Sequence, residues 1–459
     1  MSETLENNLL EFLLKDKTEE EACFVLWYPA KGSKRFNVLL KEMILPSEDE
    51  RVKHGNISIL PNFFDRAKEY VRSKRGGLAL IHTHPLSVGW QDLSGPDLHY
   101  ERDVMAQEVF GVTGLPLVGL TLSGNQAWSA RIYRRRAKKR PVLSWCISVR
   151  VVGKQLKTYY NPKLKPKQCP SDEMLRTTSV WGDDIQSDLM RMRVGIIGAG
   201  SVGSAVVEIL SRMGIGEIYV MDYDKVEIHN LDRLVSAKQS DAKYSRSKSK
   251  IACRNAYKAK TNPDFRCKPH VLSIVEEDGY RVALNCDVLF SCVDRPWPRQ
   301  VLNHISYASL IPVINGGVSF KTDHGRLIHG VFRAETVGPE RVCMNCLGSY
   351  DAGEIQLDRE GKLDDPQYIS ELKKTGQEPS RQNIMPFSIS LAGLESIQFV
   401  ELVTRIGRKG DLGQQTYDYY SGEILPVYKE CHPECEYSKT VAEGDANMPY
   451  LADDPHIDK

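Results

Sequence analysis

The segment RVGIIGAGSVGSAVVEILSRMGIGEIYVMD, residues 193–222, constrains the fold more than any other part of the chain. A short apolar strand runs into a glycine-rich turn, a helix with an apolar face follows, and a second apolar strand closes the unit. That order makes a βαβ crossover, which belongs in a parallel, doubly wound sheet. DVLFSCVD and IPVINGGVSF supply later strands. With 459 residues the chain exceeds the roughly 250 to 300 at which a single core stops growing, so two domains are expected.

Upstream the pattern differs. ACFVLWYPA, NVLLKEMIL and GLALIHTHP predict strands, PNFFDRAKEYVRSKRG and DLHYERDVMAQEVFGV predict helices, and PLVGLTLSG, AWSARIYRR and WCISVRVVG predict further strands. This is an α+β domain over residues 1–155. KTYYNPKLKPKQCPSDE, rich in proline and lysine and without periodicity, reads as a linker within 156–175, and the α/β domain then fills 176–459.

With 61 basic against 60 acidic side chains, the net charge of +1 provides no overall field for nucleic acid or an anionic membrane. The basic run RRRAKKR at 134–140 reads as a solvated loop beside a strand rather than a nucleic-acid patch. No stretch approaches the ~20 apolar residues that span a bilayer, and the start MSETLENNLLEFLLKDK is too acidic for a secretory signal. A cytoplasmic location is expected. Of eleven cysteines, four form the close pairs Cys343/Cys346 and Cys431/Cys435, and the other seven read as isolated reduced thiols.

Residues 81–98, IHTHPLSVGWQDLSGPDL, carry the first chemical constellation. Residues two apart on a strand point the same way, so His82 and His84 project together. Asp97 begins the next helix and offers a carboxylate, and Ser94 at the helix start can hydrogen-bond an oxyanion. Two imidazoles and a carboxylate leave one position open, as a catalytic zinc needs. The string resembles the JAMM (JAB/MPN) metalloprotease signature, H-x-H-P followed by S-x-x-D. Nine residues separate His84 from Ser94, two more than in the commonest form. The resemblance implies a cytidine-deaminase-like fold, deubiquitinase-like chemistry, a catalytic Zn2+ on His82, His84 and Asp97, and a glutamate base opening an early strand. Glu20 and Glu21 both fit, and spacing favours Glu20.

The second constellation begins with Gly198, Gly200 and Gly203, whose backbone N–H groups and following helix can receive phosphate. An NAD dehydrogenase offers the same turn, and Asp222 would hold a ribose hydroxyl in either case. The stretch DYDKVEIHNLDR, Asp222 to Arg233, resembles the D-x-D-x-V-x-x-x-N-L-x-R signature of ubiquitin-activating, molybdopterin-activating and thiamine-biosynthesis adenylating enzymes (ThiF/HesA/MoeB type). That resemblance implies ATP and Mg2+. It puts Asp222 and Asp224 at the nucleotide, Asn230 and Arg233 near the phosphates, and Asp294 of CVDRPWPR at magnesium. Lys248 takes the place of the phosphate-binding lysine, with Lys250 as the alternative and Ser245 where the motif has glycine. Arg299 follows with either a nucleotide or a salt-bridge role. The family is commonly dimeric, and Arg176 is the candidate arginine reaching a partner's nucleotide.

Four thiolates at Cys343, Cys346, Cys431 and Cys435 suffice to close a tetrahedral, structural Zn2+. The resemblance supports this, although three residues rather than two separate the second pair. No cysteine lies between Cys346 and Cys431, where a crossover nucleophile would be expected, so direct hand-over from an adenylate fits better than an enzyme thioester. The combined expectation is a bifunctional enzyme that trims or deconjugates a ubiquitin-like protein and adenylates its C-terminus, with a conjugating enzyme as a further partner. An activator of a sulfur-carrier protein and a scaffold with one degenerate site remain the alternatives. Bacterial fusions of this kind resemble components of anti-phage or stress conjugation systems.

Overall fold

The computed structural model describes every residue except 17, 55, 136–139, 325, 367–382, 405–410 and 458–459, together with the side chains of 53, 54 and 56. Part of the basic run at 134–140 therefore lies outside the described residues. The chain forms two units. The first comprises Met1–Ala30, Asn37–Lys167 and Val441–Asn447, and the second Lys31–Phe36, Gln168–Thr440 and Met448–Lys459. The division differs from the one expected at 155 and 176. Residues assigned to the linker form a strand that pairs backwards into the first unit, and a short C-terminal segment returns to that unit.

The first unit contains β1 (Ala22–Lys31), β2 (Phe36–Ile44), the small hairpin β3 (Arg51–His54) and β4 (Asn56–Ile59), β5 (Gly77–His84), β6 (Leu117–Ser123), β7 (Trp128–Arg134), β8 (Val142–Trp145), β9 (Ser148–Val152) and β10 (Leu156–Tyr160). Six of these form one mixed sheet in the order β2-β1-β5-β6-β7-β8, while β9 and β10 pair with each other. β5 and β6 run parallel, while β1/β5, β6/β7 and β7/β8 pair antiparallel. β5 is flanked on both sides, and GLALIHT is buried throughout, which explains its unbroken apolar run. The helix Pro61–Ser73 opens with proline and buries Phe63, Phe64, Ala67 and Val71 against Phe24, Leu26 and Leu80. The helix predicted after Asp97 is interrupted. Gly95–His99 is α-helical, Tyr100–Met105 is a π turn, and Ala106–Thr113 is α-helical again before Gly114 ends it at φ 70°.

The second unit is built on an eight-stranded sheet. Its strands are β11 (Arg193–Ile197), β12 (Glu217–Met221), β13 (Arg266–His270), β14 (Val288–Ser291), β15 (Val313–Asp323), β16 (Arg326–Val337), β17 (Gln414–Asp418) and β18 (Glu423–Val427). The order is β13-β12-β11-β14-β15-β16-β17-β18. The first five strands are parallel, and β15 to β18 pair antiparallel. The helix Ser201–Arg212 makes the predicted crossover from β11 to β12.

Two expectations are corrected here. The helix Met385–Thr404 is, by length and a mean hydropathy of 1.2, apolar enough to cross a membrane. Leu391 and Leu394 pack with Phe320 and Phe332 of the sheet, and Glu395 at its middle is fully buried, so this is a core helix. Cys253 and Cys267 are not isolated thiols but a disulfide joining the helix Lys248–Ala259 to β13.

Candidate functional site

β5 delivers His82 and His84 to the end of its strand, with their Nε2 atoms 3.2 Å apart. Oδ2 of Asp97 lies 4.0 Å from the first and 3.8 Å from the second. The circle through these three atoms has a radius of about 2.1 Å, within the about 2.0 to 2.2 Å of zinc–nitrogen and zinc–oxygen bonds. The donor set and its spacing therefore fit a zinc ion. Burial, with Arg131 nearby, pushes His82 down to about 4, which leaves its imidazole neutral and able to ligate. The Asp97 carboxylate, 3.8 Å away, raises His84. Burial opposes ionisation of Asp97, but the neighbouring His84 ring and the hydrogen bond from Ser94 hold its carboxyl well below the usual range.

Ser94 is the N-cap of Gly95–His99. Its Oγ accepts from the Asp97 amide at 3.2 Å and donates to Asp97 Oδ2 at 2.6 Å. Its one hydroxyl proton is thus directed at Asp97 rather than at an oxyanion position, because the cap geometry brings the two side chains together. The neighbouring glutamates separate clearly. Glu21 is buried, accepts from Arg51 Nη1 at 2.5 Å and bonds the Ala22 amide. Glu20 is half-buried and faces His84 and Asp97. Burial raises its carboxyl above the usual value, and His84 acts in the opposite direction.

Sequence reading did not single out Glu101 and Arg131, a fully buried ion pair beside His82. The available signals were weak: Glu101 falls one helical turn after Asp97, and Arg131 is the one charged side chain among the buried residues Trp128 to Tyr133 of its strand.

In the second unit one cavity of about 710 Å³ is lined by Gly198, Gly200, Asp222, Asp224, Asn230, Arg233, Lys248, Asp294 and Arg299. It opens where β11, β12 and β14 end, the usual place for a ligand in a doubly wound sheet. Gly198 has φ +91°, and a Cβ on Gly203 would lie 1.9 Å from the Gly198 carbonyl oxygen, so neither position accommodates a side chain. Gly203 itself is buried in the crossover helix and acts by close packing rather than from the cavity wall. Asp222 accepts from the amides of Ala199 at 2.6 Å and Asp224 at 2.7 Å. Burial lifts its carboxyl to about 6, with Lys248 pulling it down.

Lys248 Nζ donates to Asp224 Oδ2 at 2.7 Å, and Arg233 Nη1 donates to the His229 carbonyl at 2.7 Å. Lys250 is exposed and outside the cavity wall, which favours Lys248. Ser245 stands at φ 44°, the left-handed conformation that favours glycine. Arg299 binds the carbonyls of Val293, Ser349 and Gly316 and so braces the wall it lines. Arg176 is exposed on the helix Leu175–Trp181, away from this cavity. Cys292 lines the cavity, but its thiol faces Glu395 Oε2 at 3.7 Å, and burial drives it well above the usual range. An inert thiol results.

Cys343, Cys346, Cys431 and Cys435 converge, with ligand atoms within 4.8 Å of one another and Sγ of Cys343 and Cys435 3.6 Å apart. The amides of Cys343, Cys346 and His432 donate to the sulfurs of Cys431, Cys343 and Cys346. Four sulfurs with inward N–H donors fit a closed tetrahedral zinc.

The ThiF family model matches residues 173–436. The chain is 28% identical over 166 residues to a SAMP-activating enzyme E1 of Haloferax volcanii, covering 36% of this chain and 57% of that one. It is 31% identical over 159 residues to a ubiquitin-like modifier-activating enzyme 5 of Drosophila virilis, covering 31% and 38%. It is also 30% identical over 144 residues to the adenylyltransferase and sulfurtransferase UBA4 of Yarrowia lipolytica, covering 31% and 35%. The matches thus span from about a third to somewhat over half of these relatives' lengths.

Proposed function

The chain belongs to the ThiF family, and from that footing we propose that it adenylates the C-terminal carboxylate of a ubiquitin-like or sulfur-carrier protein with ATP. The observation that carries this reading is the joining of Gly198, Asp222, Asn230, Arg233, Lys248 and Asp294 in one cavity. In the reaction the substrate carboxylate attacks the α-phosphorus and pyrophosphate leaves, so negative charge must be met at the phosphates. Arg233 and Lys248 meet it, amides of the glycine turn hold phosphate oxygens, and Asp222 accepts from the ribose. Magnesium, when bound at Asp294, adds charge neutralisation. The raised Cys292 thiol, facing Glu395, and the cysteine-free span between Cys346 and Cys431 favour direct hand-over of the adenylate. The name of the ubiquitin-like modifier-activating relative supports the ubiquitin-like reading, and the adenylyltransferase and sulfurtransferase supports the sulfur-carrier alternative. A cytoplasmic homodimer joined through the second unit, with Arg176 reaching the partner's nucleotide and a conjugating enzyme downstream, belongs to the same proposal.

For the first unit the proposal is a JAMM-type zinc hydrolase that trims or deconjugates the same protein. The convergence of His82, His84 and Asp97 beside Glu20 supports it. A zinc ion there supplies Lewis acidity toward water and the scissile carbonyl. Glu20 takes the proton from water and returns it to the leaving amine, while Ser94 holds Asp97 in place. The Cys343/Cys346/Cys431/Cys435 cluster would hold a structural zinc.

Intact-mass spectrometry tests both halves. Full-length ubiquitin-like and sulfur-carrier proteins are incubated with the enzyme, zinc, magnesium and ATP, beside His84→Ala and Arg233→Ala. The expected result is tail loss that requires His84 and an AMP adduct that requires Arg233. Unchanged masses across the panel, with zinc and ATP both bound, reject the enzymatic reading in favour of a scaffold.

A further inference from the structure

We infer that Glu101 is a positioning residue for His82, the carboxylate that keeps its ring proton on Nδ1 so that Nε2 presents a lone pair to the zinc. The inference rests on the hydrolase reading of the first unit and deepens it. His82 is buried between two carboxylates from one helical segment. Asp97 Oδ2 lies 4.0 Å from Nε2, and Glu101 Oε1 lies 3.9 Å from Nδ1 on the opposite edge of the ring. Three residues separate them, and the π turn Tyr100–Met105 begins between them, placing the second carboxylate behind the first.

Glu101 is 1% exposed and its partner Arg131 is fully buried. Arg131 Nε donates to Oε2 at 2.7 Å, Nη2 donates to Oε1, and Tyr133 Oη donates to Oε2 at 2.7 Å. The remaining guanidinium nitrogen donates to Thr121 Oγ1 at 2.8 Å, and that hydroxyl lies 3.5 Å from His82 Nε2. Gly119 makes the space. A Cβ there would stand 2.6 Å from Glu101 Oε2 and 2.7 Å from Arg131 Nε.

A buried ion pair of this kind is weak as a stabilising device, because apolar residues of similar volume serve as well or better. What such residues cannot supply is a carboxylate oxygen placed at the Nδ1 edge of the ring; Arg131 balances the charge of Glu101, so it is the local placement of Oε1 that acts. At 3.9 Å the contact with Nδ1 is electrostatic rather than a formed hydrogen bond. It still favours the tautomer with the proton on that edge. Metal-ligating histidines are oriented in this way by a carboxylate on the other nitrogen, and losing it typically weakens metal binding 10- to 100-fold.

The test uses the full chain. Zinc binding is measured by chelator competition for the wild type, His84→Ala, and the double variant Glu101→Gln/Arg131→Met, which removes both buried charges together. The wild type should bind one zinc more than His84→Ala. The double variant should hold that extra zinc roughly 10- to 100-fold more weakly, with an unchanged melting temperature and the cysteine site still filled. Wild-type affinity in the double variant overturns the inference. Equal zinc content in wild type and His84→Ala overturns the hydrolase reading beneath it. Independently of any folding defect, ¹⁵N correlation spectra of zinc-free wild type should show the Nδ1–H form of His82, assigned with His82→Gln. An Nε2–H form overturns the inference as well.

Discussion

Replacing Lys248 by methionine should separate nucleotide binding from folding. In the free protein Lys248 Nζ donates to Asp224 Oδ2 at 2.7 Å, but the Asp224 side chain is 52% exposed. A pair screened to that degree contributes ~0 to 1 kcal/mol, so the variant should melt close to the wild type. At the nucleotide the same ammonium would make a charge-assisted bond to a phosphate, worth ~1.5 to 3 kcal/mol. At ~1.4 kcal/mol per tenfold, ATP should bind roughly 10- to 150-fold more weakly.

A second consequence follows at Asp222. Burial already holds that carboxyl at about 6, and Lys248 is the nearest charge pulling it down. Without Lys248 it rises further. The ionised form accepts from a ribose hydroxyl, and the protonated fraction grows as pH falls through the pKa. ATP affinity of the variant should therefore fall off at a higher pH than that of the wild type. Isothermal titration with magnesium ATP from pH 8 to pH 6, beside scanning calorimetry, measures both effects. ATP affinity within threefold of wild type, or a loss matched by an equal loss of stability, refutes the reasoning.

The two adjacent glutamates should behave oppositely. Glu20→Gln should lower tail hydrolysis by roughly 10²- to 10⁴-fold with zinc content and melting temperature unchanged. Glu21→Gln, which breaks the pair with Arg51, should lower melting temperature and spare the rate per folded molecule. Among the glycines, Gly203→Ala should abolish ATP binding, because its Cβ would meet the Gly198 carbonyl oxygen at 1.9 Å. Gly200→Ala, with nothing within 4 Å, should fold normally, as circular dichroism and ATP titration would show.

β11, β12, β14 and β15 of the second sheet were legible in the sequence because each is a short apolar run followed by glycine or aspartate, whereas β13, with the sequence RCKPH, carried no such pattern and was not read. His82, His84 and Asp97 were legible for a similar reason: all three lie within one strand, loop and helix start. Groups paired through space were not. Glu21 and Glu20 differ only in what meets them, Arg51 in one case and His84 with Asp97 in the other. Arg131 gains meaning only when β7 lies beside β6 and Glu101 reaches across. Cys253 and Cys267 come together because a helix returns beside β13, which no cysteine spacing announces. The helix Met385–Thr404 was not read from the sequence because serines and Glu395 interrupt its apolar run, although Ser388, Glu395 and Ser396 are buried with it.

The four convergent cysteines also bear on chain freedom. Cys343 and Cys435 are 92 residues apart in sequence, yet their sulfurs lie 3.6 Å apart. A cross-link closing a loop near that length removes ~4.6 kcal/mol of conformational freedom from the unfolded chain, on the chain-entropy account. The dependence on length is logarithmic, and doubling such a loop adds only ~0.6 kcal/mol. Within that loop the helix Glu354–Arg359 adds a second fixed point, since its fully buried Asp358 accepts from Arg295 Nη1 at 3.1 Å and from the Trp297 amide at 3.1 Å.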